Sequence, residues 1–305
     1  MIFVALMDGL GNQMFQYAFG RYLQHVYQMP MVIETHRYGK GSFRKQKLDQ
    51  LNIPLTKGKA DANTCRLERG VKGFVVYMYS VVKRYWKREI QHIPVYGPEG
   101  YARMCKMGMY VTKDIISYYP FKKANAKNII VHGGFMSEKY FHEIAPTIKK
   151  ELRVKEVNSD AVRQLADQMM QENSVCVHIR RGDYIGHPRF DVCTEAYYHR
   201  AVDLIRARVD APVFYVFSNS PAELDWIKEH YPFLEGAHFV KEGRDELDDL
   251  YLMYHCRHHI VSNSTFSWWG SYLKLQEGIT ICPERWLNEE MQQDILLDDW
   301  IKLPV

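Results

Sequence analysis

Two short stretches of this chain concentrate the groups that could hold an anion. Val175-Cys-Val-His-Ile-Arg-Arg-Gly-Asp-Tyr184 ends an apolar run in paired guanidiniums, and His259-Ile-Val261 leads straight into Ser262-Asn-Ser-Thr-Phe-Ser-Trp-Trp269. An arginine's planar fork matches phosphate oxygens two at a time. Hydroxyls where a helix opens act together with its first-turn amides and its dipole in favouring negative charge. The two stretches therefore look like two sides of a diphosphate site. Each also has a plainer reading: a solvated charged turn for Arg-Arg-Gly-Asp, and ordinary capping for the serines. Capping alone, however, asks for no arginine pair at the end of another strand.

The elements around these groups can be read from periodicity. Val175, Val177 and Ile179 alternate with Cys176 and His178, which predicts a central strand of an α/β sheet. Arg180 and Arg181 fall at its carboxyl end, the edge where open α/β sheets bind ligands. Successive strand residues point oppositely, so His178 and Arg180 share a face that Arg181 does not. Arg180 is thus expected to reach the ligand, and Arg181 serves equally well as a structural partner for Asp183. Leu247, Leu250, Tyr251 and Tyr254 form one face of a helix before the second motif. That motif reads helix, strand, helix, with its polar residues at the strand's carboxyl end.

A third constellation opens the chain. Ile2 to Leu6 reads as a buried strand, Asp8-Gly-Leu-Gly-Asn-Gln13 as a tight turn, and Phe15, Ala18, Phe19, Tyr22, Leu23 and Val26 as one face of a helix. Gly9 and Gly11 permit a turn and the close approach of another molecule. The third glycine of a dinucleotide fingerprint is missing, since Met14 stands there, and a dinucleotide site is rejected.

These motifs resemble glycosyltransferase family 11, the α-1,2-fucosyltransferases. The resemblance is carried, in order, by Gly9-Leu-Gly-Asn-Gln-Met-Phe-Gln-Tyr-Ala18, His178-Ile-Arg-Arg-Gly-Asp-Tyr184, Asp249-Leu-Tyr-Leu-Met253 and Asn263-Ser-Thr-Phe-Ser-Trp-Trp-Gly270. It covers nearly the whole chain, from residue 2 to about residue 283. It implies a GT-B fold, two Rossmann-like α/β domains facing across a cleft, with GDP-β-L-fucose as donor. It also implies a galactoside acceptor, inversion at the transferred sugar and no catalytic metal or other cofactor. By the same resemblance Arg180 holds the β-phosphate, His178 helps hold the nucleotide, Ser264, Thr265 and Phe266 line the phosphate seat, and Asn12 lies across the cleft near the reacting sugar. Asp183 and Asn219 complete the expected donor-binding set. The general base stays open among Asp8, Asp183 and Glu138, named on location alone; a loose transition state could instead use a phosphate oxygen.

Two departures from the family pattern stand out. The strand Val213-Phe-Tyr-Val-Phe-Ser-Asn-Ser220 carries Asn219 where the family ends in Ser-Asp, so an amide replaces a charge beside the nucleoside. Asp8 stands where the family usually has glycine.

Strands alternate with helices in both halves of the chain. The expected division is residues 1–152, an acceptor-side domain, and 153–305, a donor-binding domain, with Ser159 capping the helix after the boundary and Asp160 in its first turn. The tail Asn288–Val305 reads as a helix that crosses back onto the first domain. With 305 residues there is room for two such cores. A net charge of +4 suits an anionic nucleotide sugar and falls short of a nucleic-acid binder's basic stripe. The six cysteines are scattered and read as reduced, packed thiols. Cys256, His258 and His259 offer soft ligands, but adjacent strand residues point apart, which disfavours zinc. Trp268 and Trp269 read as core. Residues 66–92 combine a basic excess with an apolar helical face, which fits either a peripheral contact with an anionic membrane surface, suited to a lipid-linked glycan acceptor, or packing on the first domain. No leader or spanning segment is read, so the expected location is the cytoplasm.

Overall fold

In the first half, short runs form β1 (Ile2–Ala5), β2 (Met31–Glu34), β3 (Cys65–Glu68), β4 (Met109–Val111) and β5 (Ile129–His132), all mostly apolar except β3. They pair in parallel in the order β3-β2-β1-β5-β4. The computed structural model describes residues 1–35, 45–68, 97–112, 116–241 and 245–305; most of the basic 66–92 segment lies outside them. The chain divides into two compact units, Met1–Leu152 and Arg153–Val305.

Helix α1 (Leu10–Tyr27) packs on the first sheet through Met14, Phe15, Ala18, Phe19, Tyr22 and Leu23. Gly20 lets it come close: a Cβ there would sit 2.5 Å from Val4 Cγ2, so any side chain would push helix and strand apart. The unit is completed by α2 (Gly97–Lys106) and α3 (Ala145–Glu151). Glu151 of α3 is nearly buried and is matched by α1, accepting from the Tyr17 hydroxyl at 2.6 Å and from Arg21 Nη2 at 3.1 Å. Leaving either partner unmatched at this depth would cost more than the pair contributes.

The second unit is a six-stranded parallel sheet of β6 (Ser174–Ile179), β7 (Val213–Ser218), β8 (His238–Phe239), β9 (His258–Ile260), β10 (Thr280–Pro283) and β11 (Ile301–Leu303), ordered β11-β10-β9-β6-β7-β8. This is the doubly wound Rossmann order, in which the chain works outward from β6 on one side and returns beside it as β9. Among the described residues, five helices cover the sheet: α4 (Asp160–Gln171), α5 (Glu195–Arg208), α6 (Pro221–His230), α7 (Glu246–His255) and α8 (Thr265–Tyr272).

Alternation along β6 sorts its side chains onto two cores. Val175, Val177 and Ile179 pack with Tyr197, Val202 and Ile205 of α5 and Ile227 of α6. Cys176 packs with Val162 and Met169 of α4 and Leu252 of α7. Each such aliphatic side chain contributes about 1.5–3 kcal/mol by leaving water. Ser159 caps α4, accepting from Val162 N at 3.3 Å, as the sequence predicted.

The tail departs from the helix expected of it. Residues 288–300 form no regular helix, and Ile301–Leu303 adds to the sheet of its own unit, parallel to β10. Ile301 and Leu303 pack against the α5 and α6 core. Trp268 and Trp269 are fully buried, and Trp268 Nε1 donates to Ile295 O at 2.7 Å.

Candidate active site

The carboxyl ends of β6 and β9 meet at the topological switch point of the second sheet, because Val175, Cys176 and Val177 pair with His258, His259 and Ile260. Just past those pairs, His178 Nδ1 lies 2.9 Å from Ser262 Oγ. His178 is 4 % exposed, and burial, followed by the neighbouring Arg180 charge, pushes its pKa down to about 3. The imidazole is therefore neutral at physiological pH and can offer or accept a hydrogen bond without carrying charge.

Arg180 follows on the same face. Its Nη2 donates to Asp183 Oδ1 at 2.7 Å and its guanidinium lies 4.9 Å from the Tyr184 ring centroid. Its Nε is buried and has no acceptor among the described residues. The Nε atoms of Arg66, Arg153 and Arg189 are likewise buried without an acceptor among the described residues; Arg180 differs in lying at the carboxyl end of β6, where a ligand oxygen would supply one. With Asp183 58 % exposed, the ion pair is screened by water and is easily exchanged for a phosphate.

Arg181 points elsewhere, and its partner differs from the one expected. Asp183 belongs to Arg180, while Arg181 Nε donates to Glu223 Oε2 at 2.7 Å and the guanidinium stacks 3.2 Å from the Trp226 ring centroid. The alternation that separated the two arginines sends Arg181 to the α6 side, where Glu223 is within reach and Asp183 is not. Asn219 closes this corner: its Oδ1 accepts from Arg181 N at 3.4 Å while the residue stays exposed.

From β9, Ser264 opens α8 without capping it. Side chains of Ser159, Thr194, Ser220 and Asp245 accept first-turn N–H groups at α4 to α7, whereas the Ser264 side chain makes no such bond. The first turn of α8 thus has no side-chain cap from Ser264, and its N–H groups lie at the positive end of the helix dipole. Phe266 on that turn has its ring 6.1 Å from His178. Thr265 is the first residue of the helix. Asn263 is structural, its Nδ2 donating to Phe190 O and Trp286 O at 2.9 and 3.1 Å.

In the first unit, the loop after β1 is held by two buried amides that the sequence reading did not single out. Gln16 Oε1 accepts from Met7 N at 2.9 Å, and Gln13 Nε2 donates to Asp8 O and Lys45 O at 3.1 and 2.9 Å. Glutamines three apart, directly after a tight turn, were the available signal. They fix the backbone at Asp8 with φ +66°. In that left-handed region glycine is unstrained and aspartate is tolerated, which accounts for the family's glycine at this place. Asn12 Nδ2 donates to Asp8 Oδ2 at 3.3 Å. Glu138 Oε1 pairs instead with His142 Nδ1 at 2.7 Å. Asp8→Gly is therefore expected to change stability by less than about 1 kcal/mol, in either direction, because relieved strain offsets added unfolded-state entropy; a chemical denaturation curve showing a larger loss would contradict this.

The buried histidine also sets an acid limit. With its folded pKa below the usual value of 6.5, His178 stays neutral in the fold while the unfolded chain takes up a proton. Its contribution to stability is thus complete above pH 6.5 and is lost as pH falls toward about 3. His178→Asn should melt with a shallower decline between those limits than the parent chain; parallel melting curves against pH would refute the assignment.

Residues 109–304 match the profile of glycosyl transferase family 11. The chain belongs to glycosyltransferase family 11. Along nearly its full length this family 11 chain is similar to an α-1,2-colitosyltransferase of Escherichia coli, 29% identical over 98% of this chain and 97% of that protein. It is also similar to the O-antigen biosynthesis glycosyltransferase WbnK of Escherichia coli, 26% identical over 99% and 100%. The human galactoside α-(1,2)-fucosyltransferase 1 is 30% identical over 44% of this chain and 40% of its own length. Among solved structures, the fucosyltransferase NodZ from Bradyrhizobium superposes with a TM-score of 0.50 at 15% identity, over 90% of this chain and 92% of that one. FUT1 from Arabidopsis thaliana, in complex with GDP, gives 0.51 at 12% identity, over 95% and 72%. These likenesses concern the fold, and the two parallel α/β units are those of the GT-B class. Among the described residues of this glycosyltransferase, no group of three or more His, Cys, Asp or Glu side chains could hold a metal ion, and no helix is long and apolar enough to cross a membrane.

Proposed function

We propose that this chain transfers L-fucose from GDP-β-L-fucose to O2 of a terminal β-galactoside with inversion, on an oligosaccharide or lipid-linked glycan met in the cytoplasm. The observation that carries the reading is the buried Arg180 Nε, which has no acceptor among the described residues, at the end of β6 beside the head of α8, which Ser264 does not cap, in a family 11 chain. The acceptor hydroxyl forms the new bond to fucose C1 as the bond from C1 to the β-phosphate oxygen breaks, and its proton passes to a base or to the departing phosphate.

What must be stabilised is negative charge growing on GDP, and preorganised donors do this best. In the proposed assignment Arg180 grips the β-phosphate once Asp183 yields, and Ser264, Thr265 and Phe266 seat it at the head of α8. His178 and Asn219 contact the nucleotide, and Asn12 engages the reacting sugar or the acceptor. Glu138 is committed to His142 and Asp8 supports Asn12, while Asp183, once it yields Arg180, is the carboxylate of the three that is released. The alternative is a loose transition state that leans on a phosphate oxygen.

Because protein donors supply the charge stabilisation, and the sequence has no Asp-x-Asp pair to carry a cation, transfer should persist undiminished after exhaustive treatment with EDTA. Loss of activity that manganese or magnesium restores would contradict this.

The reading is tested by incubating the chain with GDP-β-L-fucose and a panel of galactosides and assigning the product linkage by NMR; an α-1,2 product is expected. A second reading, colitosyl transfer, is favoured by the full-length similarity to the colitosyltransferase. Colitose lacks one ring hydroxyl of fucose, so GDP-colitose is the competing donor; a higher kcat/KM for it would move the donor assignment.

A further inference from the structure

Ser262 is fully buried between β9 and α8. Its backbone is spent on the turn, with its N–H donating to Ser267 Oγ at 3.2 Å and its carbonyl accepting from Ser264 N at 2.8 Å. Its hydroxyl has one partner among the described residues, His178 Nδ1 at 2.9 Å. On the other side of the ring, Nε2 makes no hydrogen bond to a described residue, although the side chain is almost wholly buried.

A neutral imidazole holds one proton on one of two nitrogens, and a serine hydroxyl holds one proton of its own. Were the ring proton on Nδ1, it would point at Ser262 Oγ and leave the buried hydroxyl proton without an acceptor, an arrangement buried polar groups avoid. With Ser262 donating to Nδ1, the buried hydroxyl proton has its acceptor and the ring proton falls on Nε2, where a ligand oxygen would accept it.

We propose that Ser262 is a positioning residue that locks His178 as its Nε2–H tautomer, so that the histidine presents an uncharged N–H donor to an oxygen of the bound nucleoside diphosphate. The proposal rests on the reading that the β6 and β9 ends hold a nucleotide sugar. It joins the two motifs into one device: the strand of the first aims the ring, and the first serine of the second chooses which nitrogen carries the proton, much as outer partners fix histidine tautomers in metal sites. The protonation of Nε2 requires no change of charge, since burial keeps the ring neutral.

The test is nitrogen NMR on the full chain with labelled histidine, without ligand. The expected spectrum shows His178 with Nε2 protonated and Nδ1 bare; the reverse tautomer overturns the proposal in the unmutated protein. In folded Ser262→Ala the tautomers should mix and the Kd for GDP should rise about tenfold, the usual consequence of losing one hydrogen bond in a buried pair. Ser262→Thr, which restores the hydroxyl, should recover both. A Ser262→Ala chain that keeps the pure Nε2–H tautomer and its GDP affinity also overturns the proposal. If the tautomer is as expected and GDP binds but no fucose is transferred, the tautomer lock stands and the fucosyltransferase reading fails.

Discussion

Arg180→Lys is expected to lose about two to three orders of magnitude in turnover while the fold survives, the scale seen when one preorganised donor to a developing oxyanion is removed. Lysine keeps the charge but replaces a planar fork with a point charge on a flexible stem. It cannot reproduce the buried Nε donor, nor hold a planar guanidinium beside the Tyr184 ring. The residue is partly exposed and sits at a strand end, so the two cores flanking β6 are untouched and circular dichroism should match the parent chain. Steady-state assays on that folded variant check the claim; near-normal transfer would remove Arg180 from the centre of the account.

Asn12→Ala should give the complementary result: kcat lowered about a hundredfold with little change in the Kd for GDP, as for an interaction made chiefly in the transition state. Asn12 belongs to the first unit, in the first turn of α1, where its amide is steadied by Asp8 and the loop by Gln13 and Gln16. Arg180 and Ser264 belong to the second unit. On the proposed division of labour GDP alone is held by the second unit, and Asn12 acts only once sugar and acceptor are bound. Calorimetry with GDP and a transfer assay on one preparation separate the possibilities; a large fall in GDP affinity would put Asn12 in the donor pocket.

Local rules carried the sequence reading a long way. Alternation in Val175–Ile179 predicted both the strand and the opposite facing of Arg180 and Arg181, and Ser159 and Asp160 announced their helix as caps normally do. What stayed out of sight depended on distant residues. The partner of Arg181 comes from α6, the partner of His178 comes from the end of β9, and β11 is a three-residue edge strand whose identity comes from pairing with β10. A run that short shows no period to distinguish strand from helix. That Ser264 leaves α8 uncapped was equally illegible, because serine at a helix start reads the same whether its hydroxyl serves the helix or a ligand. Asp8 was visible as a departure from the family pattern, but its reason is a backbone angle that only coordinates reveal.

The most direct test of the account is a crystal structure of the chain with GDP bound. The expected result places the diphosphate at the carboxyl ends of β6 and β9, with oxygens within hydrogen-bond reach of Arg180 Nε and of the Thr265 and Phe266 N–H groups, and with His178 Nε2 facing a nucleotide oxygen. A diphosphate seated instead on the Gly9–Gly11 turn of the first unit, or one bound while the Arg180 fork stays turned to Asp183, would contradict it.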